Sequence, residues 1–181
     1  MTSHGEGIAH FSDDVRDPRN IEAEERVMAY YRDIRGLPLR DRRPEHLEWD
    51  FEVLHGERWW RFDVKADKWF DATFNIPFED HARYDNGDIR DTWGNSANID
   101  VVVVVAVRSW RAMVLPLKRL RSVVFQEMKA GRGDDWTVFE KRNDGGYTTV
   151  GYAIPTALLW RERVFSTTML LPPVRRDTDA A

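Results

Sequence analysis

Apolar and polar residues alternate with period two across LEWDFEVLHGERWWRFDVKAD, residues 47–67. Leu47, Trp49, Phe51 and Val53 interleave with Glu48, Asp50 and Glu52, the pattern of a strand with one buried face. His55-Gly56 supplies a tight turn. Arg58, Trp60, Phe62 and Val64 then alternate with Trp59, Arg61, Asp63 and Lys65. A hairpin closing at Leu54 and Glu57 sets Phe51 against Trp60, Trp49 against Phe62 and Leu47 against Val64, all apolar pairs. The other face sets Asp50 against Arg61 and Glu48 against Asp63, with Lys65 at the end. A one-residue slip would turn every side chain to the wrong face.

The other elements follow from period and punctuation. Asn20 reads as the cap of a helix to about Ile34, with Glu22, Glu24 and Glu25 in its first turns and Gly36 and Pro38 ending it. Ile21, Val27, Met28, Tyr31 and Ile34 share one side; Glu24 falls in the middle of it and Glu25 at its edge. Leu37 to Glu45 is a polar connector. Thr73 to Phe78 reads as a third strand, and residues 79–98 as a long loop, of the kind that often carries function. Asn98 to Val107, nearly continuous in Val, suits a central strand covered on both faces, with Trp110 to Leu115 as its partner. Pro116 opens a helix to about Glu127. Trp136–Lys141 and Tyr147–Ala153 form a second hairpin around Asn143 to Gly146, and Pro155 starts a last helix to about Val164. The expected architecture is α/β: a mixed central sheet of about five strands flanked by helices, plus a C-terminal β-hairpin and helix. Residues 1–19 read as a flexible arm, 20–171 as one domain and 172–181 as a disordered tail.

Composition narrows the chemistry. The 181 residues are 42% hydrophobic and include eight Trp, enough for a sizeable core. A net charge of -4 excludes a globally basic nucleic-acid coat, though not a local basic patch. With no cysteine, disulfides, zinc fingers, Fe–S ligation and thiol catalysis are excluded. The polar, acidic start is unlike a secretory signal, and Asp100 interrupts the longest apolar run, Ile99–Val107, which is too short to span a bilayer. The expectation is a soluble, cytoplasmic protein with no membrane partner.

Asp50 on one strand and Asp63-Val64-Lys65 on the next are the candidate chemistry. Mg²⁺ takes hard oxygen ligands, typically one or two carboxylates with water and substrate phosphate. Neighbouring strands can supply the two carboxylates, and Lys65, two positions past Asp63, shares its face. An ammonium there can hold the attacking water or neutralise charge on a phosphodiester under attack. Glu24 adds a third carboxylate if its helix packs on the sheet. A carboxylate within an apolar stripe costs on the order of several kcal/mol unless it is neutralised, paired or metal-bound. The plainer alternative is a solvated face with cross-strand ion pairs such as Asp50 with Arg61.

In this order (a helix with Glu24, Asp50 in a WDF context, then Asp63-Val64-Lys65) the chain resembles the PD-(D/E)xK nuclease superfamily, the restriction-endonuclease-like fold. The similarity runs on through NIPFE, a Trp-Gly and a Ser before an Asp-started Val strand, and VLPLKRLR, over roughly residues 20–125, as in uncharacterised phage and prokaryotic members. Asp63 stands where Glu is more frequent. Either Glu48 or Asp50 can fill the first-strand role; the WDF context selects Asp50. The resemblance implies a nuclease-like domain over 20–171 that hydrolyses DNA phosphodiester bonds by in-line attack of water activated by Mg²⁺ or Mn²⁺. Asp50, Asp63 and the Val64 carbonyl would be metal ligands, Lys65 would serve the water, and Glu24 would support the site. The alternative is an inactive nuclease-fold module that binds nucleic acid or protein. Many nucleases of this type cut as dimers, so a homodimer is one expectation.

Arg108, Arg111, Lys118, Arg119 and Arg121 form a stretch with no intervening acid, a candidate phosphate-contacting patch or else a solvated helix face. Glu79 is either an extra ligand or a surface carboxylate. His46, His55 and His81 lack metal-ligand spacing. Asp100 opens the Val strand, either capping the adjacent loop or solvated at the strand end. Trp59, on the polar face, is suited to stacking on a base or to being covered.

Overall fold

The structure is a computed structural model that describes residues 18–45, 48–143, 145–165 and 167–174. Most of the expected arm, the end of the expected tail, His46 and Leu47 lie outside the described residues. The chain runs α1 (Pro18–Ala29), a π-helical turn (Tyr30–Ile34), β1 (Leu39–Asp41), a 3-10 turn (Arg43–Glu45), β2 (Phe51–His55), β3 (Arg58–Asp67), α2 (Phe70–Thr73), β4 (Asn75–Tyr84) and β5 (Ile89–Asp91). It continues through β6 (Val101–Ala106), β7 (Arg111–Pro116), α3 (Leu117–Lys129), β8 (Thr137–Asn143), β9 (Tyr147–Pro155), α4 (Thr156–Arg161) and β10 (Thr167–Leu170). A six-stranded mixed sheet has the order β1-β2-β3-β6-β7-β10, and a four-stranded antiparallel sheet the order β5-β4-β9-β8. Among the described residues only β3 and β6 pair in parallel. The expected mixed α/β class is borne out. Among the described residues no helix is long and apolar enough to cross a membrane.

β6 shows why the large sheet is central. Val101, Val103 and Val105 pack with Ala23, Val27 and Met28 of α1. Val102 and Val104 pack on the opposite side with Leu120 and Val124 of α3 and with Ile76, Phe78 and Ile154 of the small sheet. Every residue of β6 is buried, as a Val run with no polar alternation requires.

Several elements depart from the sequence expectation. Helix α1 begins at Pro18, where the missing N–H costs nothing, so Asn20 lies inside the helix rather than capping it. The π-turn, with Arg35 N–H reaching the Tyr30 carbonyl, shifts the helical phase and leaves Ile34 58% exposed. The hairpin pairs Phe51 with Phe62 and Val53 with Trp60, and closes at His55 and Arg58 around Gly56-Glu57. Gly56, at φ +65°, has to occupy a turn position, and this moves the register by two residues and keeps the faces. The alternation breaks before β2: Phe51 packs toward α1, but Trp49 packs with the cluster on the other side.

The third strand does not join the central sheet. It starts after Thr73, continues as β4 to Tyr84 and founds the second sheet with the C-terminal hairpin. Residues 79–98 are therefore only partly loop; β4 and β5 pair across them. Their polar sequence reflects a half-exposed strand with a bulge between Glu79 and His81. The polar connector contains β1, which pairs with β2, and β10 is a further strand that period and punctuation do not mark.

Candidate active site

β2 begins only at Phe51, opposite Phe62, whereas β3 continues past Phe62 to Asp67, paired with β6 on its other side. Past Phe62, β3 therefore has an edge with no paired strand among the described residues. Asp50 stands at this edge. Its N–H donates to the Phe62 carbonyl (2.8 Å), and its Oδ2 accepts the Val64 N–H (2.7 Å). In an extended strand the N–H and C=O of one residue point to the same side, so the Val64 carbonyl faces this edge as well.

Asp63 and Lys65 share one face of β3, as the alternation requires. Their Oδ2 and Nζ lie 3.0 Å apart, with side chains 7% and 28% exposed. Asp63 Oδ2 is thus buried against the Lys65 ammonium as an ion pair. Glu24 is 8% exposed and pairs with Arg43 at 3.3 Å, while Arg43 also grips Asp41 at 2.6 Å.

The charges act on one another. Burial pushes the Asp50 carboxyl up to about 7; Glu24 adds to this, and Lys65 and the Val64 N–H oppose it. Burial likewise pushes Asp63 up to about 7 against the pull of Lys65, with Asp50 and Glu79 raising it further. Burial works to discharge Lys65, but Asp63, Glu79 and Asp50 outweigh it and hold the ammonium charged. Glu24 is raised by burial, against Arg43 and Lys65. Asp50, Asp63, Lys65 and Glu24 thus feel one another's fields, and the cross-strand Asp50–Arg61 pair does not form. Glu52 stands opposite Arg61, and Arg61 binds Asp100.

Two more residues enter this field: Glu79, weighed from sequence as an extra ligand or a surface carboxylate, and Arg43, which the sequence did not single out. Glu79 acts on Asp63 and Lys65 from the bulge of β4, and Arg43 holds Glu24. The bulge that brings in Glu79 leaves no mark in the NIPFE sequence.

The donor set suits a hard divalent ion. It offers two carboxylates raised chiefly by burial, one of them facing the Lys65 ammonium, and one strand-edge carbonyl. Among the described residues no three His, Cys, Asp or Glu groups form a metal-ligand cluster, so water and phosphate oxygens would complete such a shell. Glu48 does not compete for the role of Asp50: its Oε2 accepts from Ser96 Oγ (2.8 Å) and Asn98 Nδ2 (3.2 Å) and so fixes the loop before β6.

The basic stretch is divided. Arg108 and Arg111 lie at one end of β7, while Lys118, Arg119 and Arg121 follow its other end, ~17 Å away at strand rise. Arg121 is engaged internally, donating to the Gly94 and Ser96 carbonyls (2.9 and 2.6 Å), and Arg119 donates to the Glu162 carbonyl (3.0 Å). Trp59 is covered by the Arg40 guanidinium, 3.9 Å from its ring centre. Asp100 is not merely solvated: it accepts the Arg61 N–H (3.0 Å) and pairs with Arg58.

No protein-family model matches the chain, and no curated protein is similar to it. Among solved structures, a bacterial homing endonuclease, I-Ssp6803I, overlaps with a TM-score of 0.45 and 17% identity, covering 61% of this chain and 73% of that one. A likeness of that size carries no argument about chemistry.

Proposed function

We propose that the chain is a nuclease of the PD-(D/E)xK type that hydrolyses DNA phosphodiester bonds with Mg²⁺ or Mn²⁺. The observation that carries the reading is the strand-edge cluster: Asp50 on the Val64 N–H, a buried Asp63, and Lys65 Nζ 3.0 Å from the Asp63 Oδ2. Asp50, Asp63 and the Val64 carbonyl would hold the ion, which supplies charge neutralisation at the phosphate and lowers the pKa of a water. Lys65 Nζ holds the attacking water in line and balances charge developing on the non-bridging oxygens. Glu24, steadied by Arg43, completes the acidic wall.

The test is incubation of supercoiled, linear and branched DNA with Mg²⁺ or Mn²⁺. Wild type is expected to cleave, and Lys65→Ala to lose at least about 10²-fold in rate, as when one transition-state donor is removed. A second reading, DNA binding without cleavage, is favoured by the Lys65–Asp63 contact, in which the ammonium already neutralises a ligand oxygen. Retention of DNA without cleavage by either protein supports that reading. No retention at low salt overturns both. Sedimentation with and without DNA tests the homodimer that belongs to this reading.

A further inference from the structure

Immediately after the candidate site the chain presents two large aromatics to solvent. Trp69 is 59% and Phe74 67% exposed, while Phe70 between them packs onto the core. Phe74 sits at φ +53°, ψ +30°, the left-handed region that a Cβ-bearing residue enters at a steric cost. The turn is nevertheless tightly held. The Trp69 N–H donates to Asp67 Oδ1 (2.7 Å), Thr73 Oγ to the Trp69 carbonyl (3.1 Å), and Thr156 N and Oγ to the Phe74 carbonyl (3.0 and 2.7 Å). Asp71 ties α2 to the β6–β7 turn through Ser109 Oγ (2.6 Å) and N–H (3.1 Å). Strain that the surroundings enforce, on exposed rings the core does not use, points to function.

The local charge is mixed, Lys68 and Arg108 against Asp67 and Asp71, with the two cations on the exposed side chains. Lys68 Nζ stands 5.3 Å from the Trp69 ring centre. Arg108, exposed beside the Ser109 anchor, makes no ion pair among the described residues. The neighbouring acids, Asp67 and Asp71, are engaged with Trp69 and Ser109. Exposed rings bordered by a lysine on the ring and an exposed arginine match a strand with unpaired bases, since rings stack on bases and cations follow phosphates. A duplex hides its base faces.

We infer that the α2 turn is a stacking platform for unpaired nucleobases, with Trp69 and Phe74 as ring surfaces and Lys68 and Arg108 as phosphate contacts. The inference rests on the DNA reading and narrows its substrate to single-stranded or branched DNA. Trp69 is four residues from Lys65, at most ~14 Å of chain, so one strand can cross both platform and site.

The experiment measures binding of fluorescent oligo(dT), and of a blunt duplex of equal length, to the full chain in EDTA. Wild type is expected to prefer oligo(dT). Trp69→Ala and Phe74→Gly are each expected to weaken that binding about tenfold with little change for the duplex. Phe74→Gly is also expected to hold or raise the melting temperature, which separates lost stacking from lost folding. Equal losses for both DNAs, or none, overturn the platform. So does a concentration-dependent self-association that disappears in Trp69→Ala, which would make the patch a protein interface. Cleavage is scored separately: ring-dependent binding without cleavage leaves the platform standing and the nuclease reading failed, and cleavage with unaffected binding does the reverse.

Discussion

At pH 8 without divalent ions, the Asp50→Asn protein is expected to melt roughly 4–8 °C above wild type, at ~2–4 °C per kcal/mol for a chain of this size. Asn keeps an oxygen for the Val64 N–H and removes a charge from a site where Asp50, Asp63 and Glu79 act on one ammonium while Arg43 holds Glu24. The pH dependence has a definite sign. Asp50 and Asp63 are pushed up to about 7 from an ordinary 3.8, so their contribution to stability is full below about pH 4. It drains away as pH rises through 7. A rise of about three units would be worth ~4 kcal/mol for an isolated group at 1.36 kcal/mol per unit. Half-burial and coupling bring the expected gain to about 2 kcal/mol. The difference between variant and wild type should therefore be present at pH 8 and vanish near pH 4, where both carboxyls are neutral. Mg²⁺ should raise the melting temperature of wild type by preferential binding, and that of Asp50→Asn far less. If the nuclease reading holds, DNA cleavage by the variant should fall by at least about 10²-fold. A variant that melts below wild type at pH 8 would mean that Asp50 is structural, and the site reading would lose its main support.

Much of this site was legible because period two survives a shift of two. The register expected from the apolar pairs differs from the observed one, yet Asp63 and Lys65 share a face in both. Glu24 in the apolar stripe of α1 was legible too, because burying a carboxylate needs a compensating partner; the partner is Arg43, whose side chain the sequence could not aim. The contact between Asp50 and Val64 was hidden. It depends on β2 starting one residue after Asp50, and alternation does not say where pairing starts. The second sheet was hidden for a related reason. Polar residues in Glu79–Tyr84 lie on a strand that is partly exposed, so they read as loop. The basic stretch was compact in sequence, but an intervening strand divides it in space.

Gly94→Ala is expected to cost about 3 kcal/mol, the upper range for forcing extra atoms into packed structure, and ~6–12 °C in melting temperature. A Cβ there would stand 2.1 Å from the Glu79 carbonyl oxygen and 3.0 Å from Phe78 Cζ. The first neighbour is backbone in the middle of β4, so it cannot step aside without breaking the bulge. The Gly94 N–H donates to that same oxygen (3.0 Å), and Arg121 Nε holds the Gly94 carbonyl (2.9 Å), while Asn95 Nδ2 reaches the Asp80 carbonyl (2.9 Å). The Trp-Gly pair thus clamps the loop to the strand that carries Glu79: Trp93 packs edge-on to Phe78 in the core, and Gly94 permits the close backbone approach. Because Glu79 acts on Asp63 and Lys65, displacing β4 changes the charge at the site as well as the packing. Thermal melts should show the loss of stability. If the nuclease reading holds, cleavage at a temperature where the variant is still folded should fall as well. Arg121→Ala, which removes two hydrogen bonds from the same loop without a clash, should produce the same pair of effects at smaller size. A Gly94→Ala protein with wild-type melting would show that the loop is not clamped to β4.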